Sequence, residues 1–139
     1  MGSIRLDKYV PEIKKALDQA LAEHLTETQG KLAKGNPKDT GRMASSWFVS
    51  QNAPEEGVRP KNWAQEGAKR VEVSEYPKNA IEFDGTWYIS NNLPYAERVA
   101  LDAKWAKGGS PGGAAWYRNI ETQQAADFDR SALKFLRRI

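Results

Sequence analysis

The sequence predicts an α+β fold in which a long N-terminal helix and a C-terminal helix pack on a small, mainly antiparallel sheet. Three observations predict this class. Apolar residues recur three or four apart near both ends of the chain, which is helical spacing. Short runs rich in tryptophan, tyrosine, isoleucine and valine lie between them, which is strand composition. Two long polar or glycine-rich stretches, at 53–80 and 103–115, separate these elements.

The composition favours one domain spanning residues 1–139, with 40% hydrophobic and 28% charged residues. The chain has no cysteine and one histidine, His24, which excludes disulfides and thiolate or histidine-rich metal sites, so we expect no cofactor. No apolar run approaches the roughly 20 residues of a membrane span, so we expect no membrane contact and an intracellular location or a place in a particle assembled inside a cell. The net charge of +3 is too small by itself to indicate nucleic-acid binding.

The first element is a long amphipathic helix that begins at Asp7 or Pro11 and ends at Ala33. Gly30 is expected to let its last turns fray, because glycine costs about 1 kcal/mol relative to alanine inside a helix. His24 lies beside the apolar stripe, and a packed, half-buried histidine accounts for it better than a catalytic one. We expect the stripe to pack on the sheet; it consists of Val10, Ile13, Leu17, Ala20, Leu21, Leu25 and Leu32.

Residues 46–50 are typical of a strand whose two faces are both covered, since Trp47 and Val49 share one face and Phe48 points to the other. The stretch 53–80 then reads as a long excursion with a short helix over 62–69 and a short strand over 70–74. A loop of this length in a compact domain either serves a function or stays disordered until something binds it.

Residues 81–90 carry a hairpin signature, because the turn dipeptide Asp84-Gly85 separates two apolar runs. The alternative is that residues 81–83 simply lead into the second strand. Asn91-Asn92 then favours a turn and Pro94 the first turn of a short helix. Residues 116–138 resume helical spacing and end in cations that suit a helix C-terminus.

No motif for catalysis is apparent. The glycine run at 108–113 lacks the Gly-Lys-Ser/Thr ending of a phosphate loop and follows a helix instead of a strand. Ser45 and its neighbouring serine lack the elbow that frames a nucleophile. Three hypotheses therefore stay open: an interaction protein, a small basic nucleic-acid-binding protein, and an unrecognised hydrolase that uses His24, Ser45 or Glu56.

A tryptophan in a glycine-rich loop is typical of an interface anchor, because tryptophan is enriched among residues that dominate binding energy. Trp105 and Trp116 are candidates for such anchors, and the alternative is that both fold back onto the core. Arg42 is expected either to contact a partner or to pair with a local carboxylate within a turn. The candidate interface residues are Arg42, Trp105, Lys107, Gly108, Gly109, Pro111 and Trp116.

Three blocks of sequence, in this order, resemble the neck and tail-completion proteins of tailed bacteriophages, which are also classed as minor tail proteins. The blocks are Asp39-Thr40-Gly41-Arg42-Met43 leading into Ser45-Ser46-Trp47, then Ile89-Ser90-Asn91-Asn92-Leu93-Pro94-Tyr95-Ala96-Glu97-Arg98, then Ser110-Pro111-Gly112-Gly113. The resemblance covers residues 37–124 and departs from the family pattern after Leu101 and within the excursion.

The resemblance implies a non-catalytic α+β subunit that forms a homo-oligomeric ring, of six-fold symmetry, at the head–tail junction of the virion. Assembly would take place in the cytoplasm of the bacterial host. The implied partners are copies of the chain itself and the neighbouring connector, tail terminator or tail tube proteins. Basic residues such as Arg70, Lys104 and Lys107 would make at most weak, salt-sensitive contact with passing DNA.

Overall fold

The computed structural model describes residues 6–37, 41–63, 70–101 and 115–139. The α+β class expected from the sequence is confirmed. The elements in chain order are α1 (Leu6–Gly35), β1 (Phe48–Gln51), a 3₁₀ helix (Lys78–Ala80), β2 (Trp87–Ser90), α2 (Ala96–Leu101), α3 (Trp116–Thr122) and α4 (Gln124–Leu136).

Helix α1 packs mainly against α4, and the middle of its apolar stripe packs on the sheet, as expected from the sequence. The two helices run antiparallel, as shown by the ion pairs that join Lys31 to Asp127 at 3.1 Å and Glu23 to Lys134 at 2.6 Å. The expected fraying at Gly30 is wrong, since α1 continues to Gly35. Burial of neighbouring residues against the rest of the chain outweighs the low helix propensity of glycine.

The first turns of α1 lie beyond the end of α4 in this antiparallel arrangement. Residues 7–15 are all exposed, and they include the apolar side chains of Tyr9, Val10 and Ile13. The N-terminal third of the predicted stripe is therefore surface and not core.

The sheet consists of β1 and β2, which pair antiparallel with Val49 opposite Ile89. The predicted hairpin is wrong, because residues 81–83 form no strand and lead into β2, as the alternative had it. The predicted strand over 70–74 is likewise not part of a sheet. Val49 is buried towards α1, while the Arg59 guanidinium covers the Phe48 ring on the other face at 5.6 Å.

Two apolar clusters form the core, and Ile89 contacts both of them. The first contains Trp47 and Trp116, and the second joins the middle of α1 to the sheet. The last helical stretch is divided at Gln123, and α2 begins at Ala96, just after the predicted Pro94. The first cluster is Leu32, Met43, Trp47, Leu93, Ala96, Val99, Ala100 and Trp116; the second is Leu21, Ala22, Leu25, Val49 and Ile81.

Candidate interaction site

The turn over residues 41–46 anchors the described parts of the excursion. The Ser45 hydroxyl donates to the carbonyl of Arg70 at 3.2 Å and accepts from the amide of Glu72 at 2.9 Å. The Ser46 hydroxyl donates to the carbonyl of Arg42 at 2.6 Å and accepts from the amide of Arg59 at 3.0 Å. Both hydroxyls are buried and bonded to main chain, an arrangement that stabilises structure and gives neither serine a general base.

Arg59 and Arg42 complete this attachment. The Arg59 side chain donates to the carbonyls of Ser45 and Glu72, each at 3.0 Å, and its guanidinium stacks on Trp63 at 4.4 Å. Arg42 Nε donates to the carbonyl of Arg59 at 2.7 Å. Arg42 thus helps to hold the excursion, so residues 53–63 and 70–80 need no partner to be positioned.

The Asn91-Asn92 turn connects the same region to β2. Asn91 Nδ2 donates to the carbonyl of Met43 at 2.8 Å, and Asn92 Nδ2 donates to the carbonyl of Glu56 at 2.9 Å. From α1, the buried Gln29 amide bonds the carbonyls of Trp47 at 2.8 Å and Ser74 at 2.7 Å. Side-chain amides therefore replace much of the strand pairing that a larger sheet would supply.

A cleft of about 700 Å³ lies between the segment 83–89 and α3, with α1 as its floor. Its charged lining residues within the described chain, His24 apart, are Asp84 and Glu121. His24 is 8% exposed on this floor and meets the Phe128 ring edge-on, with 5.7 Å between ring centroids. Burial lowers the pKa of His24 below 6.5, although Gln124 and the charge of Asp127 oppose that shift. The imidazole is therefore neutral at neutral pH.

The structure locates only two of the seven candidate interface residues. Trp105, Lys107, Gly108, Gly109 and Pro111 lie outside the described residues. Arg42 lies in the attachment described above, bonded to main chain. Trp116 is 1% exposed, donates from Nε1 to the carbonyl of Val99 at 3.4 Å and meets Trp47 edge-on. The alternative that this tryptophan folds back onto the core is therefore correct.

Exposed apolar residues lie instead at the start of α1 and in the segment 70–74. The sequence did not predict that these residues are on the surface. Val10 is 61% exposed, and Val71 and Val73 are 39% and 37% exposed. Both regions gave a periodic signal in the sequence, helical for the first and alternating for the second, but periodicity does not say whether a partner lies within the same chain.

Comparisons with protein-family models, curated proteins and solved structures find no match for this chain. Within the described ranges, no group of three or more histidine, aspartate or glutamate side chains is placed to hold a metal ion. None of the helices in the part of the chain that the structure describes is both long and apolar enough to cross a membrane.

Proposed function

We propose that this chain is a structural virion subunit of a tailed bacteriophage, and that copies of it form a ring that completes the tail or joins it to the head connector. The observation that carries the proposal is the convergence of the first two resembling blocks on one core cluster. Met43 and Trp47 of the first block pack with Leu93 and Ala96 of the second. Trp116, which follows the third block, completes the cluster.

Polar residues of the blocks support the same interpretation. Asn91 of the second block bonds the carbonyl of Met43 in the first, and its own Oδ1 accepts from the amide of Leu93 at 3.3 Å. Ser45 and Ser46 of the first block bond main-chain groups of the excursion. The polar residues of the first two blocks therefore hold main-chain segments in place and take no part in catalysis in this arrangement. A structural subunit requires this role of the residues that define its family.

Exposed apolar side chains at the free end of α1 and near the C-terminus supply surface for partners. Tyr9 is 47% exposed, Leu133 50% and Ile139 49%. Side chains of this kind mark interaction sites when they lie close together, and a ring subunit needs contacts with its own copies and with the connector, tail terminator or tail tube.

Deletion of the gene from the phage that encodes it tests the proposal. We expect DNA-filled heads and separate tails, with joined particles restored when the intact gene is supplied from a plasmid. A tagged copy should be located at the head–tail junction by electron microscopy. Complete, infectious particles without the protein would contradict the proposal.

A nucleic-acid-binding function is the second candidate, and one observation favours it. Trp63 contacts the guanidiniums of Arg59 and Arg70, at 4.4 and 4.0 Å from its ring, near the exposed Lys61. Arginine and aromatic side chains together are common in nucleic-acid grooves. Titration with duplex and single-stranded DNA at increasing salt separates the candidates: tight binding that weakens steeply with salt would favour this one. Absence of binding at low salt would remove it.

A further inference from the structure

The stripe of α1 that faces α4 continues past the end of α4. Residues seven apart, or about two turns, lie on nearly one line along a helix. On α1, His24 and Lys31 belong to such a line and contact α4, through an aromatic contact and an ion pair. Continued towards the N-terminus, the same line passes through Leu17, which is half-buried, and Val10, which is 61% exposed. The surface that α4 covers further along α1 is therefore open to solvent at its start.

Residues 7–15, called the overhang from here on, form a helix that gains little from packing. All nine are exposed. Tyr9 and Ile13, at 47% and 41% exposure, lie on the same side as Val10. Helices in proteins take most of their stability from the packing of an apolar face, and Pro11 removes one main-chain hydrogen bond inside this helix. The overhang would therefore be stabilised by a second helix that covers its apolar side.

We propose that this second helix is the overhang of another copy, so that two copies pair through antiparallel α1 helices across a two-fold axis. Val10 of each copy then packs beside Ile13 of the other. The inference goes beyond the proposed function and does not rest on it. A two-fold contact closes at two copies and does not link neighbours around a ring, so the dimer is a state of the free protein.

The position of α4 sets the direction in which the two overhangs pair. The Glu23–Lys134 ion pair and the end of α4 at Leu136 place α4 on the part of α1 that follows the overhang. A parallel pair of overhangs would bring the α4 helices of both copies into the same seam, where they would collide. An antiparallel pair puts the two α4 helices at opposite ends. Each added overhang then runs in the direction of α4 and continues the seam between α1 and α4.

Charges along the overhang favour the same direction. Asp7 and Lys14 are seven residues apart and so lie on one flank of the apolar side. A two-fold antiparallel contact brings like flanks together, which places Asp7 of each copy near Lys14 of the other. Lys14 is 58% exposed and lies 3.7 Å from Asp18, whose carboxylate also accepts from the amide of Phe83 at 2.6 Å. The lysine can serve both carboxylates. Exposed pairs are weak, so the apolar contact supplies most of the affinity.

The length of the overhang limits how tight the dimer is. Nine helical residues span about 14 Å, which gives a contact well below the roughly 800 Å² per partner of a standard interface. We expect a reversible dimer with a dissociation constant on the order of 10–100 µM.

Sedimentation of the full chain over a range of concentrations tests the contact. Val10→Gln and Ile13→Gln should each weaken dimerisation by at least about tenfold, because a polar group then replaces an apolar one in the centre of the contact. Val71→Gln is the matched control, since Val71 is an exposed valine outside the overhang, and it should leave dimerisation unchanged. Circular dichroism checks that all three variants keep the helix content of the original chain.

Charge reversal tests the direction of the contact. Lys14→Glu should weaken dimerisation by about fivefold, since both symmetric pairs become repulsive, and Asp7→Lys added to it should restore most of the loss. Lys15→Glu makes the same change one residue further along, on the opposite side of the helix, and should have no effect. Equal effects of Lys14→Glu and Lys15→Glu would overturn the antiparallel contact.

Cross-linking provides an independent measurement, because the chain has no cysteine of its own. Val10→Cys mixed with Ile13→Cys should give a disulfide-linked dimer of unlike chains faster than either variant links to itself. A parallel contact would instead link each variant most readily to itself, and that result would overturn the proposal. Val10→Cys mixed with Lys15→Cys is the control and should give little product.

The outcomes separate this inference from the proposed function. A chain that stays monomeric up to about 1 mM, or that associates equally well in every variant, overturns the dimer. Association that the variants do not affect leaves the ring proposal intact, because another surface then forms the ring. Conversely, a dimer that the variants disrupt, in a protein whose deletion leaves the head–tail junction complete, would refute the proposed function and support the overhang contact.

Discussion

The indole Nε1 of Trp47 donates a hydrogen bond of 3.0 Å to Oδ1 of Asn36, and both side chains are buried. Asn36 directly follows α1, and Trp47 directly precedes β1. This one bond therefore fixes how the first strand leaves the long helix. It also places the Trp47 ring against Tyr117, with the rings stacked at 6.1 Å.

Trp47→Phe should destabilise the protein by about 2–4 kcal/mol, because a buried acceptor on Asn36 loses its donor and the core loses volume. Trp87→Phe is the matched control, since Trp87 is half-buried and its Nε1 bonds carbonyls of the exposed segment 82–84. We expect that change to cost about 1 kcal/mol or less. Guanidinium denaturation measures the free energy of unfolding of both variants, and we expect the dependence on denaturant concentration to keep the slope of the original chain. Equal losses of stability in the two variants would contradict the role of the Asn36 bond.

The sequence predicted well those elements whose signal is local. The helical spacing of α1 and the strand composition around Val49 and Ile89 correctly gave their type and position. The hairpin failed because the chain does bend at Gly85, where φ is +65°, but a bend does not choose the partner of the strand that follows it. That partner is β1, which the rest of the fold brings from more than thirty residues away.

The candidate site was predicted less well, for a related reason. The role of Ser45 depends on bonds to residues 25 and 27 positions further along the chain. The role of Trp116 depends on a cluster to which α1, α2 and the residues around Met43 all contribute. Residue type alone suggests a nucleophile or an anchor at these positions, and only long-range packing shows that both are structural.

The stability of the protein should fall as pH falls below about 7, because burial lowers the pKa of His24. Between 6.5 and the lower folded pKa, the unfolded chain binds a proton that the folded chain does not, so protonation favours unfolding. The groups that face the ring are Phe128, Gln124, Asp127, Lys31 and Glu27. Denaturation at about pH 7.5 and about pH 5.5 should show the loss.

His24→Gln should reduce the difference in stability between the two pH values, because glutamine carries no charge at either of them. The imidazole is the only one in the chain, so its NMR titration can be assigned without ambiguity. An imidazole that titrates at or above 6.5 in the folded protein would contradict the prediction.

Asp127→Asn should cost about 1 kcal/mol at neutral pH, because the carboxylate accepts from Lys31 at 3.1 Å and from Arg130 at 2.9 Å. Both cations are largely exposed, which keeps the value small. The Lys31 bond lowers the pKa of Asp127 below 3.8, so the stabilisation is present above that pH and is lost as pH falls through the folded pKa. The variant and the original chain should converge in acid. Asp129→Asn, on the exposed side of α4, is the control. It should leave the free energy of unfolding unchanged both at neutral pH and in acid.

Gly41→Ala should be strongly destabilising, whereas Gly30→Ala should stabilise. Gly41 has a φ of +87°, and a β-carbon there would lie 1.9 Å from the carbonyl oxygen of Arg70. Alanine must therefore both adopt a left-handed backbone and displace the segment 70–74, which together should cost at least about 2 kcal/mol.

Gly30 lies inside α1 with nothing within 4 Å of a β-carbon, so alanine should add about 1 kcal/mol. Thermal denaturation should show a lower melting temperature for Gly41→Ala and a higher one for Gly30→Ala, although the chemical change is the same. A Gly41→Ala protein with unaltered melting temperature would show that this glycine does not hold the excursion in place.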